Sequence, residues 1–445
     1  MTRATRPDAL GADPALPGLA TLFDADKLRA AIAEAGLESG APEPASVTLD
    51  YLRYKPRESA IASGRAAFPH GDVLFSLRLL KEERLAAAAP LDVPLPSDGE
   101  DRPSLAPFAA IPDLGAALFR FPLDPILRGL RHAASIDEMK RAATAIWRAR
   151  GDEAIRFRAF DATIAPVRFK AGRRAVLRTS LKWKRDGDGG KGRAVFFARV
   201  SGEPARERFE RNLAFHRAAA AAGVRTPEPL GAAPELDSIL EESILATAAV
   251  SAAPRDLGLA AARLHGAAVP PAGGLRAIDE ALLDAVAAEA VAAVLPRLAA
   301  RARSLAEAIA RRRLETKGAD AAPRLLHGDL ALEQAIVGED GRLALLDLDR
   351  AAVGPAAADM GEAIARFRAG AVTGDASKRS ADEAAAAEDA FLAGYAAAAA
   401  VPARPALEAR IASSLLRRVV HPLRCFRPLF RSEAESILAA AEAIS

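Results

Sequence analysis

The sequence predicts an α+β protein, with antiparallel strands concentrated in its first half and helices in its second. Three observations carry this reading. Across residues 47–200, short alternating apolar stretches are separated by turn residues, the pattern of hairpins. Beyond residue 205 most of the chain repeats its apolar residues at helical spacing, as in the Ala-rich stretches 277–315 and 405–444. Between those helices, residues 324–360 return to short strands interrupted by acids. Strands and helices segregated in this way suit an α+β architecture.

Taken in order, residues 16–36 have helical periodicity with Asp24 as N-cap. Residues 47–66 alternate, turn at Lys55-Pro56-Arg57 and alternate again, and 72–80 complete a small antiparallel unit. The same order then recurs: Phe121-Pro122-Leu123-Asp124-Pro125 with Leu127-Arg128-Gly129-Leu130, a helix around 136–148, and strands at 164–169, 174–183 and 194–200 with a tip at 186–192. Aligning Tyr54-Lys55-Pro56-Arg57 with Phe169-Lys170-Ala171-Gly172 gives an offset of about 115 residues, read as an internal duplication. A helix over 205–222 and a strand over 236–245 follow. The stretch 277–315 is helical with a kink at Pro296. Residues 357–368, 381–400 and 405–444 read as three or more helices, with 370–381 their loosest connection, and the Ala-rich runs 286–295 and 396–401 as packed helix.

Composition narrows the class. The 445 residues suffice for two or three domains with substantial cores, and 51% hydrophobic with 27% charged residues are globular proportions. A formal net charge of +3 is too small to imply nucleic acid as a partner. The single cysteine, Cys425, excludes an intramolecular disulfide and suits the reducing cytoplasm. The opening residues lack the apolar core of a secretory signal, and no stretch approaches the roughly 20 apolar residues of a membrane span. A cytoplasmic protein with no membrane partner is expected.

Residues 324–360 carry the chemistry. A short strand at Leu325 and Leu326 runs into His327-Gly328-Asp329, where an acid interrupts an apolar run. Strands at 335–337 and 343–348 follow, joined by Gly338-Glu339-Asp340-Gly341, whose Asp-Gly is a hairpin signal. Alternation along 343–348 puts Asp347 and Asp349 on one face. If the hairpin folds back beside the loop, Asp329, Gln334 and Asp347 converge. An amide oxygen with a carboxylate can hold Mg²⁺, and a second carboxylate can take a proton from a substrate hydroxyl. Phosphoryl transfer needs little more.

This stretch resembles the catalytic loop and metal-binding hairpin of the aminoglycoside phosphotransferase and choline kinase superfamily, relatives of protein kinases. The resemblance implies a two-lobe kinase-like fold, a small antiparallel lobe plus a helical lobe, here with an extra N-terminal α+β lobe. It implies an ATP- and Mg²⁺-dependent phosphotransferase acting on a small-molecule hydroxyl acceptor. Asp329 matches the catalytic base, Gln334 the metal-binding Asn position, Asp347 the metal-bridging aspartate and Asp359 the aspartate that begins a buried helix behind the loop. On the nucleotide side, Arg199 stands where the family has Lys, an exchange that is not conservative, and Glu210 matches its helix partner, with Glu207 as the alternative. His265, in Leu264-His265-Gly266, matches a structural position.

The domains then read as 1–120, a degenerate duplicate of the nucleotide lobe; 121–245, the nucleotide lobe; and 246–445, the helical lobe with the acceptor pocket. The first copy lacks metal ligands and is expected to bind no nucleotide. Few aromatic residues are available for a choline cage. The stripe Arg410, Arg417, Arg418, His421, Arg424, Arg427 and Arg431 disfavours polycationic aminoglycosides, leaving a sugar or an anionic metabolite as acceptor. The competing reading, favoured by Arg199 and Gln334, is a non-catalytic kinase-like nucleotide- or partner-binding protein.

Overall fold

Asp24 does cap the first helix: its side chain accepts from the Lys27 amide at the start of α1 (Ala25–Ala35). The computed structural model describes residues 13–81, 104–187, 189–245, 252–270, 274–316, 322–373 and 380–445. They fall into two compact units. The first comprises Met1–Arg206, Leu230–Glu242 and Leu423–Pro428; the second comprises Glu207–Pro229, Ser243–Pro422 and Leu429–Ser445.

The first unit is built on two five-stranded antiparallel sheets. β1 (Ser46–Lys55), β2 (Ser59–Phe68), β3 (Gly71–Leu79), β4 (Phe108–Ile111) and β5 (Ala116–Arg120) lie in the order β1-β2-β3-β5-β4. After α2 (Ile136–Ala149), β6 (Ile155–Lys170), β7 (Arg174–Arg185), β8 (Lys191–Ser201), β9 (Pro229–Ala233) and β10 (Ser238–Glu242) take the corresponding order β6-β7-β8-β10-β9. Each sheet buries the alternate side chains that its period-2 pattern makes apolar, such as Ala175, Leu177 and Leu181 of β7. α2 is capped by Ser135 and lays Met139, Ala142, Ala143 and Ile146, one helical face, on the second sheet.

The likeness of the two sheets extends to their corners. The β1–β2 turn has Arg57 at φ 61° and the β6–β7 turn has Gly172 at φ 63°. Asp13 accepts from the Arg57 amide at 2.8 Å, and Asp124 accepts from the Gly172 amide at 2.7 Å. Each of these aspartates also accepts from the amide two residues on, Ala15 or Ile126. A Cβ on Gly18 would lie 2.1 Å from the Leu114 carbonyl oxygen, and one on Gly129 would lie 2.4 Å from that of Leu236. Behind these pairs is a shared sequence, Asp-Pro-x-Leu-x-Gly-Leu, at Asp13–Leu19 and Asp124–Leu130.

α3 (Ala205–Ala221) enters the second unit at Glu207. That unit contains α4 (Pro254–His265), α5 (Glu280–Val294), α6 (Ala299–Glu315), α7 (Ala356–Val372), α8 (Ala381–Ala396), α9 (Arg404–Arg418) and α10 (Phe430–Glu442). It also holds a three-stranded sheet in the order β11-β15-β12 (Arg276–Ala277, Ala352–Gly354, Arg324–Leu326) and the hairpin β13 (Ala335–Val337) with β14 (Leu343–Leu345). The expected break at Pro296 is present: α5 stops at Val294, Pro296–Leu298 form a 3-10 turn, and α6 resumes at Ala299.

Two expectations are corrected. Residues 236–245 are not one strand, because Pro234–Leu236 make a 3-10 turn that closes on Asp237 at φ 46°, and the strand is Ser238–Glu242. Residues 396–401 are not packed helix: α8 ends at Ala396, and uniform Ala leaves no amphipathic face to continue it. Within the expected loose connection 370–381, residues 374–379 lie outside the described residues. Among the described residues, no helix is long and apolar enough to cross a membrane.

Candidate active site

β12 pairs antiparallel with β15 through buried Leu325 and Leu326 and delivers the chain to His327. The loop that follows is held from below by one carboxylate. Asp359, in the first turn of α7 and 1% exposed, accepts from the His327 amide at 2.7 Å and from the Gly328 amide at 2.8 Å. Its Oδ2 also meets His265 Nε2 at 3.3 Å, while His265 Nδ1 meets the Tyr395 hydroxyl at 3.0 Å. His265 therefore braces α4, α7 and α8. Gly328 sits at φ 76°, where a Cβ would lie 2.0 Å from the Arg350 carbonyl oxygen; only glycine fits there.

His327 is the strut between two loops. Its Nε2 lies 2.8 Å from the Leu346 carbonyl, which can only accept, so Nε2 carries the proton. Nδ1 is then the acceptor for the Asp329 amide at 3.3 Å. Leu346 in turn donates its amide to the Gln334 carbonyl at 2.7 Å. The hairpin pairs Ala335 with Leu345, so Gln334 stands opposite Leu346, next to Asp347. Gln334 is 7% exposed and Asp347 6%.

The expected strand over 343–348 is shorter. β14 ends at Leu345, Asp347 takes the left-handed conformation at φ 65°, and Leu348–Arg350 form a 3-10 turn. Strand alternation therefore does not place Asp347 and Asp349 on a common face; the backbone reversal at Asp347 aims its side chain. Asp349 Oδ1 lies 3.8 Å from Nη2 of Arg208, a buried residue of α3 that the sequence reading passed over in favour of its glutamates. Among the described residues, no group of three or more His, Cys, Asp or Glu is arranged to hold a metal ion.

Asp329 has cationic neighbours that the sequence reading did not assign. Arg366 of α7 is hydrogen-bonded to Asp329 Oδ1, and Arg350 Nη1 lies 4.0 Å from that oxygen. Arg366 also reaches Glu362 at 3.1 Å and Glu333 at 3.6 Å. Glu362 receives Arg417 at 3.7 Å and Arg418 at 3.5 Å from α9. Burial alone would raise the Glu362 carboxyl, but Arg366, Arg417, Arg418 and Arg350 together hold it down to about 2. Burial opposes the charge on Arg366, and Glu362, Asp329 and Glu333 more than restore it. Asp359, Glu362 and Arg366 follow one another at i, i+3 and i+7 along one face of a helix whose other charged residue is Arg368. That spacing was readable in the sequence.

The remaining sequence-chosen residues are dispersed. Arg199 of β8 is buried in the first unit, and its Nη1 lies 3.4 Å from Glu241 Oε1 on β10. Glu210 is an exposed residue of α3, in the second unit. The arginine stripe is divided as well. Arg410 bonds Glu280, Arg417 and Arg418 turn to Glu362, and Arg424 and Arg427 belong to the first unit.

The chain is similar to a choline/ethanolamine kinase family protein from Mesorhizobium loti, at 18% identity and TM-score 0.44, covering 69% of this chain and 94% of that one. A macrolide 2'-phosphotransferase from Brachybacterium faecium matches at 20% identity and TM-score 0.39, covering 68% and 98%. A choline kinase from Streptococcus pneumoniae matches at 10% identity and TM-score 0.43, covering 66% and 98%. No curated protein matches the sequence. Residues 173–410, more than half the chain and including the whole His-Gly-Asp loop and its hairpin, match the phosphotransferase enzyme family designated APH, and the chain belongs to that family of small-molecule kinases.

Proposed function

We propose that the chain moves the γ-phosphoryl group of ATP, in the presence of Mg²⁺, to a hydroxyl of a small molecule, and that this acceptor is a sugar or an anionic metabolite. The observation that supports this most is the strut made by His327 and Leu346, which ties the Asp329 loop to the turn bearing Gln334 and Asp347. Gln334 and Asp347 offer an amide oxygen and a carboxylate, a donor set that suits Mg²⁺, whose other positions go to water and phosphate oxygens. These two residues would hold the ion, and bound there it would neutralise phosphate charge.

The chain's own residues do the rest. Asp329 accepts a hydrogen bond from the acceptor hydroxyl and takes its proton as the new O–P bond forms. The bond from the γ-phosphorus to the bridging oxygen breaks, and ADP leaves with that electron pair. Arg366 keeps the Asp329 carboxylate in one orientation, and Asp359 fixes the loop backbone. Arg199 is assigned to the nucleotide phosphates, with its neighbour Glu241 as the orienting carboxylate in place of Glu210. The acceptor class rests on charge. Arg350, Arg366, Arg417 and Arg418 gather around Glu362 and Asp329, and a polycationic acceptor arriving beside them would meet like charge.

The test is phosphoryl transfer from Mg²⁺-ATP to a panel of neutral sugars, acidic sugars, aminoglycosides and choline, read by mass spectrometry. A product heavier by one phosphoryl group is expected from a sugar or an anionic acceptor. Transfer only to an aminoglycoside or to choline would overturn the acceptor assignment. ATP binding without transfer to any acceptor would favour the non-catalytic reading.

A further inference from the structure

The first sheet carries a row of cations that the proposed transfer does not use. One transverse row of this sheet pairs Arg53 with Ile61, Ile61 with Arg78, and Arg78 with Ala117. The matching row of the second sheet pairs Arg168 with Val176, Val176 with Arg199, and Arg199 with Ile239. Directly paired residues share a face, so Arg78 is the counterpart of Arg199 in register and in facing. The environments differ. Glu241, paired with Phe197, supplies the carboxylate beside Arg199; the same position in the first sheet, paired with Ser76, is Phe119.

Around Arg78 lies a cavity of about 310 Å³, at the small end of ligand pockets. Arg53, Lys55, Arg78 and Lys81 line it, with Ile61 as part of its apolar floor and, among the described residues, Glu58 as the one acidic residue. Glu58 is committed to Lys55 at 3.7 Å, and Arg53 donates to the Gly172 carbonyl at 3.5 Å. Among the described residues, Nε of Arg78 is buried with no hydrogen-bond partner. A buried guanidinium nitrogen left unmatched calls for an acceptor, and a wall of four cations facing one carboxylate exceeds what a monocarboxylate neutralises.

We infer that the first sheet binds a compact phosphorylated anion, whose phosphate lies between Arg53 and Arg78 and whose body rests on Ile61. Guanidinium pairs grip phosphate oxygens bidentately. The site needs no metal ion, because its charge balance comes from side chains, and among the described residues it has no carboxylate placed as a base. It recognises its ligand and performs no chemistry on it.

Isothermal titration of the full chain with inorganic pyrophosphate, in EDTA and at low ionic strength, tests this. Binding is expected for the wild type and for Arg199→Gln. Arg78→Gln should weaken it by roughly tenfold or more, the value of a lost charge-assisted pair. Lys81→Gln, an exposed change that threatens no packing, should weaken it a few-fold, and Glu58→Gln should tighten it. Phosphoryl transfer in Arg78→Gln should stay at the wild-type rate, which separates this site from the catalytic one. Absence of pyrophosphate binding without metal, loss of binding in Arg199→Gln, or unchanged affinity in both Lys81→Gln and Arg78→Gln would each overturn the inference.

Discussion

The two sheets of the first unit share strand order, corner conformations and an Arg-aliphatic-Arg row, yet the arginines at the matching position, Arg199 and Arg78, have different surroundings. Arg199 is buried against Glu241, whereas Arg78 borders a cavity. The two sheets share a scaffold and differ in charge partners. A fold can thus hold a cation at a fixed register and leave its use to whatever the neighbouring strand presents, and function follows the partner more than the cation.

If chemistry belongs to one copy alone, the largest effect must come from the acid loop that has no counterpart near the first sheet. Asp329→Asn should lower turnover by roughly 10²-fold or more, the scale of a lost general base, while leaving both ATP binding and pyrophosphate binding in EDTA intact. Near-normal turnover would remove Asp329 from the mechanism. Next in size, Asp347→Ala should abolish the Mg²⁺ dependence of nucleotide binding. Gln334→Asn should be tolerated, since it keeps an amide oxygen on the same turn. Calorimetry with and without Mg²⁺ reads both, and equal damage from Gln334→Asn and Gln334→Ala would mean that the amide is not a ligand.

A smaller effect tests the arginine cluster behind the loop. The Glu362 carboxyl is depressed to about 2 from an ordinary 4.5, so its contribution to stability is complete above pH 4.5 and is lost as pH falls towards 2. The shift corresponds to something on the order of 3 kcal/mol. Wild-type melting temperature should fall over that window by more than that of Glu362→Gln, whose own melting temperature at neutral pH should already be lower because its arginines lose their shared anion. Parallel pH profiles for the two proteins would refute the cluster's role.

The smallest effect returns to the corners. Gly172→Ala places a Cβ 2.9 Å from Ile126 Cδ1 at a positive φ and should cost about 1–2 kcal/mol, whereas Arg57→Gly, at the matching turn, should change stability by less than about 1 kcal/mol. Denaturant midpoints decide it, and equal losses would mean that the two turns are not equivalent.

Much of this was legible in the chain. Period-2 and period-3.6 patterns located the strands and helices, Asp24 announced its cap, and Asp340-Gly341 its hairpin. The likeness of the two sheets was visible through Tyr54-Lys55-Pro56-Arg57, although the stronger signal was the repeated Asp-Pro-x-Leu-x-Gly-Leu. What escaped depends on conformation or on packing between distant elements. Alternation presumes extended backbone, so the left-handed turn at Asp347 falsified the face assigned to it. The Arg366 contact with Asp329 was hidden for a different reason: a charge on a helix has many candidate partners until the helix is docked. Arg208 escaped because a buried arginine on a polar helix looks like every exposed one.

The clamp at Asp359 bears on motion. With both oxygens committed to loop amides and Oδ2 shared with His265, the His-Gly-Asp segment is fastened to the start of a buried helix. The amides of His327 and Gly328 should exchange with solvent deuterium as slowly as helix-core amides, opening only when α7 itself opens. Loops usually move so that rigid helices can wait; here the His-Gly-Asp loop is the stationary part.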